Sequence, residues 1–330
     1  MKTFKRYKTF IQEKTDSSLA DGIKKVYLEN LDSMSFIKQQ HFLSRLSKCY
    51  TGKWKSKIKE LGEKLANQLN ELFTEYKGGE YANSVSTFIK FRNSNNAHLE
   101  AKQKGNKWVK DNQANTAEFL AYLEILMKFN IVHRLKCEQF IKDEEVIKNW
   151  LLKKWNKNVN WIIKNPDAFG LIPVQSVNVF YYMSSLKIMD PNLIDQKEEQ
   201  FLNALKKAYE GNLVDDISFN NYLYALTHII IGESWFYEYK LPDYRQKYGW
   251  IIDFFKENRE RILSTATPDI IIEIGVVLLI CNEIAESAKY KKYTRNKIGP
   301  NGYIEPLDKT KGPEESEHTN ILAIMILKGF

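Results

Sequence analysis

Glu273 interrupts an otherwise unbroken apolar run, Ile270-Ile271-Ile272 before it and Ile274-Gly275-Val276-Val277-Leu278-Leu279-Ile280 after it. Taking a carboxylate out of water costs several kcal/mol unless a partner compensates it, so at this position Glu273 needs a cation, a metal or a proton. Asp269 lies one helical turn earlier on the same face, and like charges at that spacing disfavour double ionisation. A carboxyl group held protonated in this way is a source of general acid or base catalysis near neutral pH. The competing reading is a structural glutamate bonded to a backbone amide or to a Lys or Arg of a neighbouring helix.

Two histidines join it. His228 sits in a second apolar segment with Asn221, Tyr224, Ala225, Gly232 and Trp235 on its face at helical offsets. Ala225 and Gly232 leave room beside the imidazole, and Tyr224 and Trp235 are suited to wall such a space. His318, beside Glu317 and Asn320, opens the last apolar segment, where a helix N-terminus lowers an imidazole pKa and offers donors to an anion. Glu273, His228 and His318 are thus the candidate catalytic residues, and Tyr224, Trp235, Asn221 and Asp269 the candidate substrate-binding ones. Two His and a carboxylate also form a known zinc or iron ligand set, so these three are the candidate metal ligands. Their wide separation lacks the diagnostic spacing of HExxH, and an acid–base pair of Glu273 and His228 without metal fits equally well. For each histidine the competing reading is a hydrogen-bonded core residue.

The elements that must position these residues read as helices. Gly and Pro are scarce, 15 and 8 in 330 residues, which disfavours a turn-rich β fold. Segments 115–129, 176–189, 219–236, 269–285 and 317–328 are apolar nearly all round, whereas 137–163, 194–210 and 242–263 are striped with charge. A helix apolar on every side must be enclosed by protein, and a striped one lies outside. The expected class is therefore all-α, with alternating inner and outer helices forming an incomplete or complete α/α toroid over residues 112–330. Residues 1–111 form a basic, amphipathic helical N-terminal region, with helices at about 3–14, 17–31, 34–48 and 54–76 and a polar, weakly periodic stretch at 80–111. Thr267-Pro268-Asp269 and Ser316-Glu317 mark helix starts. Residues 287–315, with Lys289, Lys291, Lys292, Arg295 and Lys297, read as a long irregular loop able to cover an acidic substrate.

This rhythm resembles the α/α toroids of lanthionine cyclases, prenyltransferase β subunits, terpene cyclases and six-hairpin glycosidases and lyases. The resemblance is architectural: their zinc-ligand and Asp-rich motifs have no counterpart here. The strings Leu226-Thr227-His228-Ile229-Ile230, Phe236-Tyr237 and Glu317-His318-Thr319-Asn320 are similar to an uncharacterised bacterial helical family, which implies no activity.

Composition narrows the function classes. Lys and Arg outnumber Asp and Glu by 22 to 11 in residues 1–110 but not beyond, where the ratio is 27 to 30. A basic patch suits nucleic acid or an anionic surface, but only 8 of the cations are Arg and no nucleic-acid-binding motif is present, which disfavours that class. Cys49, Cys137 and Cys281 form neither a CxxC pair nor a disulfide framework. No apolar run approaches the ~20 residues of a membrane span, and the first residues show no secretory pattern, so a cytoplasmic setting is expected. The expected function is an enzyme acting in a central cavity on a small molecule or peptide. The alternative is a helical scaffold whose polar interior groups merely fix the core.

Overall fold

The computed structural model describes residues 15–77, 108, 111 and 113–330, apart from 53, 212, 307 and 309. The expected helix at 3–14 and the polar stretch at 80–111 fall almost wholly outside them. The described residues are helical and contain no strand. Helices α1 (Asp16–Glu29), α2 (Phe36–Cys49) and α3 (Lys55–Lys77) are followed by α4 (Gln113–Arg134), α5 (Glu144–Lys164), the short α6 (Asp167–Leu171) and α7 (Pro173–Ser185). Then come α8 (Pro191–Tyr209), α9 (Asp216–Glu233), α10 (Arg245–Glu257), α11 (Arg259–Thr265), α12 (Pro268–Ile280), α13 (Ile284–Lys297) and α14 (Glu317–Lys328).

Hydrophobic pattern decides which helices are enclosed. In α12 every residue from Ile270 to Ile280 is buried, Glu273 included, and in α14 burial runs unbroken from Asn320 to Leu327. Such helices have no face to offer to water, so each must be flanked on all sides. Packing follows suit: α2 contacts α14, α14 contacts α12, α12 contacts α9, α9 contacts α7, α7 contacts α4, α4 contacts α3, and α3 contacts α2 again. Further charge-striped helices lie against this series, which itself includes the amphipathic α2 and α3. α1 packs on α14, α13 on α12, and α5 on α4 and α7. Helices from the first 77 residues thus meet those from the last 14 directly.

Two glycines set how closely the central helices approach. A Cβ on Gly275 would stand 2.2 Å from Ile326 Cδ1 of α14 and 2.9 Å from Tyr290 Cβ of α13. A Cβ on Gly232 would stand 2.4 Å from Tyr181 Cβ of α7. Only hydrogen fits at either place, so α12 closes on α14, and α9 on α7, beside the polar residues described below.

Two expectations are corrected. Residues 284–297 are helical, not irregular, because the stretch holds neither Gly nor Pro and is anchored by buried Ser287, Tyr290 and Thr294. Its cations are occupied outside: Lys289 pairs with Glu286 at 2.6 Å, and Arg295 bonds Asp16 of α1 at 2.5 and 2.7 Å. The segment that does wander, after Lys297, is pinned by Asn320, which accepts from Ile304 N and donates to Ile304 O, each at 2.8 Å. Residues 242–263, expected as one helix, divide at Asn258 into α10 and α11, the Asn258 amide bonding Phe254 O at 2.9 Å.

Candidate functional site

Glu273 is 1% exposed, and both its oxygens are engaged. Thr227 Oγ1 of α9 donates to Oε1 at 2.5 Å, and His318 Nε2 of α14 donates to Oε2 at 3.2 Å. The close approach at Gly275, half a turn along α12, brings α14 near enough for the second bond. Burial opposes ionisation of this carboxyl group. The hydrogen bond and charge of His318, the nearby His228 imidazole and the Thr227 hydroxyl outweigh it, and the pKa falls to about 2. The protonated carboxylic acid anticipated from the sequence is therefore an ionised carboxylate. Its compensation comes from the His318 imidazole and the Thr227 hydroxyl on neighbouring helices, not from a proton forced on it by Asp269.

His318 responds in the opposite sense. Burial disfavours its charged form, but the bond and charge of Glu273, with Asp269 behind it, raise its pKa above the ordinary 6.5. The helix N-terminus, expected to lower it, is overridden by these nearer carboxylates. The imidazole keeps 39% of its side-chain surface exposed although its helix is enclosed from Asn320 onward. Solvent therefore reaches the His318 ring at the junction of α2, α9, α12 and α14.

His228 lies near them, half-buried and within reach of the charges of Glu273 and His318. Its Nδ1 donates to Asn178 Oδ1 of α7 at 3.0 Å, and the Asn178 amide donates to Tyr182 OH at 3.3 Å. Burial lowers its pKa despite the pull of Glu273, so its surroundings favour the neutral ring where those of His318 favour the charged one. With Nδ1 carrying the proton, Nε2 holds a lone pair, and among the described residues nothing bonds to it.

A third imidazole completes the set. His41 of α2 donates Nδ1–H to Glu317 Oε1 at 2.8 Å, and its ring lies 5.3 Å from that of His318. Burial and the charge of Arg45 bring its pKa to about 4. Adjacent residues Glu317 and His318 thus engage opposite sides, one reaching α2 and the other α12. Sequence reasoning passed over His41 because polar residues are ordinary in an amphipathic helix. The buried amides of Gln39 and Gln40 just before it are the one local sign that this part of α2 is not simply a solvated face.

Of the expected substrate-binding residues, Tyr224 and Asp269 meet. The Tyr224 hydroxyl donates to Asp269, which also accepts from Thr267 Oγ1 at 2.6 Å, one turn along the same α9–α12 seam. Asn221 is elsewhere: its amide bonds Gly170 O at 2.6 Å on the wall of a separate groove of about 680 Å³. Trp235 is also elsewhere, against Lys187 and Tyr239. The helical offset that placed it on the His228 face does not apply, because α9 ends at Glu233 and Trp235, Phe236 and Tyr237 take φ values of 54°, 54° and 72°. The space expected beside Gly232 is filled by Tyr181.

Three consecutive non-glycine residues in the left-handed region cost on the order of 1–3 kcal/mol each. Backbone bonds from Trp235 to Gly232 O and from Phe236 to Ile231 O hold the turn, as does the Ser234 hydroxyl, which accepts from Tyr237 N at 3.1 Å. The turn delivers two neighbouring rings to two guanidinium groups. Arg134 of α4 lies 4.9 Å over Phe236, and Arg45 of α2 lies 4.9 Å over Tyr237.

Among the described residues, no three His, Cys, Asp or Glu side chains are grouped so as to hold a metal ion. Glu273 spends its oxygens on Thr227 and His318, and the His318 Nε2 is spent on Glu273.

The family described as a domain of unknown function, DUF3541, matches residues 16–329. The chain belongs to this family. The match runs from α1 to the end of α14, so the DUF3541 unit includes His41 as well as His228, Glu273 and His318. No curated protein and no solved structure is matched. No described helix is long and apolar enough to cross a membrane.

Proposed function

We propose that this DUF3541 protein is an enzyme of α/α-toroid architecture that transfers protons to and from a small molecule or peptide in the recess between α2, α9, α12 and α14. The toroid reading is supported by the cyclic packing order of seven helices, with α1, α5 and α13 outside. The catalytic reading rests on one observation: two imidazoles lie about a single buried carboxylate, one bonded to it and the other held by Asn178, in surroundings that push their pKa values apart. A pair of titratable groups whose surroundings push their pKa values apart is the usual arrangement for an acid and a base working near neutral pH. His318, held as imidazolium by Glu273, is the acid. His228, its tautomer set by Asn178 and its Nε2 lone pair free, is the base. Glu273 positions and charges His318, reversing the assignment in which Glu273 itself exchanges the proton.

The test is turnover. The purified full chain is incubated with a mixture of small metabolites and short peptides and followed by mass spectrometry beside His318→Asn and His228→Asn. Species that change with the wild type and persist with both variants support the reading. Identical profiles for all three proteins, each shown folded by circular dichroism, would return these residues to the role of core fixtures.

A further inference from the structure

We propose that the recess binds the anionic group of its ligand, a carboxylate or a phosphate, between Arg45 and Arg134, so that the molecules handled by the His228–His318 pair are small anions. The inference rests on the acid–base reading for what happens to the ligand, but not for its binding.

The two guanidinium groups come from different helices and lie over adjacent rings of one strained turn, each 4.9 Å from its ring. Neither forms an ion pair among the described residues. Arg134 Nε donates to Asn130 Oδ1 at 3.0 Å, and Arg45 Nη1 reaches His41 O at 3.3 Å, leaving most of each five-donor fork unused. Arg45 Nε is buried without any partner. Every carboxylate nearby is engaged by another group: Glu273 by His318 and Thr227, Glu317 by His41, Asp269 by Tyr224 and Thr267, and Glu238 by Lys48.

The two cations are also close enough to oppose one another. Burial, with the charge of Arg45, lowers the Arg134 pKa to about 10 even though Tyr182 and Glu238 favour its charged form. Arg45 likewise weighs against protonation of His41, His228 and His318. Placing two half-buried guanidinium groups within reach of one another's charge, with no carboxylate paired to either among the described residues, is unfavourable for folding alone. It is the arrangement that a bidentate acceptor such as a carboxylate or phosphate relieves. Tyr182 joins this part of the recess to the catalytic part. Its ring stacks on Phe236 with centroids 4.6 Å apart, and its hydroxyl accepts from Asn178, the residue that orients His228.

The experiment is thermal unfolding and isothermal titration of the full chain with inorganic phosphate, with succinate, and with succinamide as the uncharged isostere, all at matched ionic strength in chloride. A saturable rise in Tm with phosphate or succinate, absent with succinamide, is expected. A response to phosphate alone assigns a phosphoryl ligand, and one to succinate alone a carboxylate. Arg45→Gln and Arg134→Gln are each expected to weaken binding roughly tenfold or more, the loss of one charge-assisted bond or two. The surface control Lys25→Gln should bind as the wild type does. If Arg134→Gln fails to fold, Arg134→Lys keeps the charge without the fork and should still bind more weakly. No anion-specific rise over chloride, or full binding by both arginine variants, overturns the proposal. His318→Asn separates the two readings: anion binding retained in a variant without turnover upholds both, whereas binding retained with turnover unchanged removes the catalytic one alone.

Discussion

Replacing Glu273 by glutamine tests the pairing on which the site depends. Glutamine keeps the volume and leaves Thr227 an acceptor, so cavity and packing effects are small and the change is one of charge. Removing one member of a buried ion pair costs about 3–5 kcal/mol when the other stays charged. Here His318 has two ways to avoid that cost: it can lose its proton, and with 39% of its side chain open to solvent its charge is screened. The expected loss is therefore nearer 1–2 kcal/mol at its maximum. Its dependence on pH is the diagnostic part. Glu273 has a depressed pKa, so it contributes stability above the unfolded value near 4.5, and this is lost as pH falls toward about 2. His318 has a raised pKa, so its contribution is complete below 6.5 and disappears as pH rises through its folded value. The wild type should exceed Glu273→Gln most between those limits, around pH 5–6, and the gap should close toward pH 9, where the wild type retains a buried carboxylate facing a neutral imidazole. Urea unfolding at several pH values measures it. A stability difference that does not change with pH would refute the ion-pair reasoning.

Other outcomes follow from single contacts. Gly275→Ala sets a methyl group against Ile326 and Tyr290 and should cost about 1–3 kcal/mol, with a matching fall in Tm. In the same variant, proton NMR should find the His318 titration moved down toward that of an ordinary buried imidazole, since α14 is pushed from α12. Asn178→Ala removes the acceptor from His228 Nδ1, and nitrogen NMR should then detect a mixture of tautomers in place of one. Asn320→Ala frees Ile304 from both its bonds and should make the segment after Lys297 markedly more sensitive to limited proteolysis, with a loss of about 1–3 kcal/mol from the buried groups left unpaired.

How much could be read from the sequence depended on contrast. Glu273 and His318 stood out because they interrupt residues that cannot be anywhere but inside, and the structure does bring them together. His41, Arg45 and Arg134 did not, because α2 and α4 carry other polar residues and nothing local distinguishes a cation facing a recess from one facing water. The proton assignment of Glu273 was inaccessible for a related reason. Asp269 is visible as a near neighbour in sequence, whereas the cation that decides the matter lies 45 residues away, on a helix whose placement is a tertiary fact. Trp235 was misplaced because a helical phase was extended through a turn made of ordinary aromatic residues, where no glycine announces the positive φ values. The inner and outer rhythm was legible because it reflects burial alone.

The junction of α2 with α14 carries a further consequence for how the chain is made. His41 and Glu317 are 276 residues apart, and the cover of α2 is completed only when the other element exists. During synthesis Phe42, Leu43 and Leu46 must wait without that neighbour until the residues 276 positions beyond His41 have been made. A nascent chain of this design presents adhesive surface while the intervening residues are made, which makes it a natural client for chaperones.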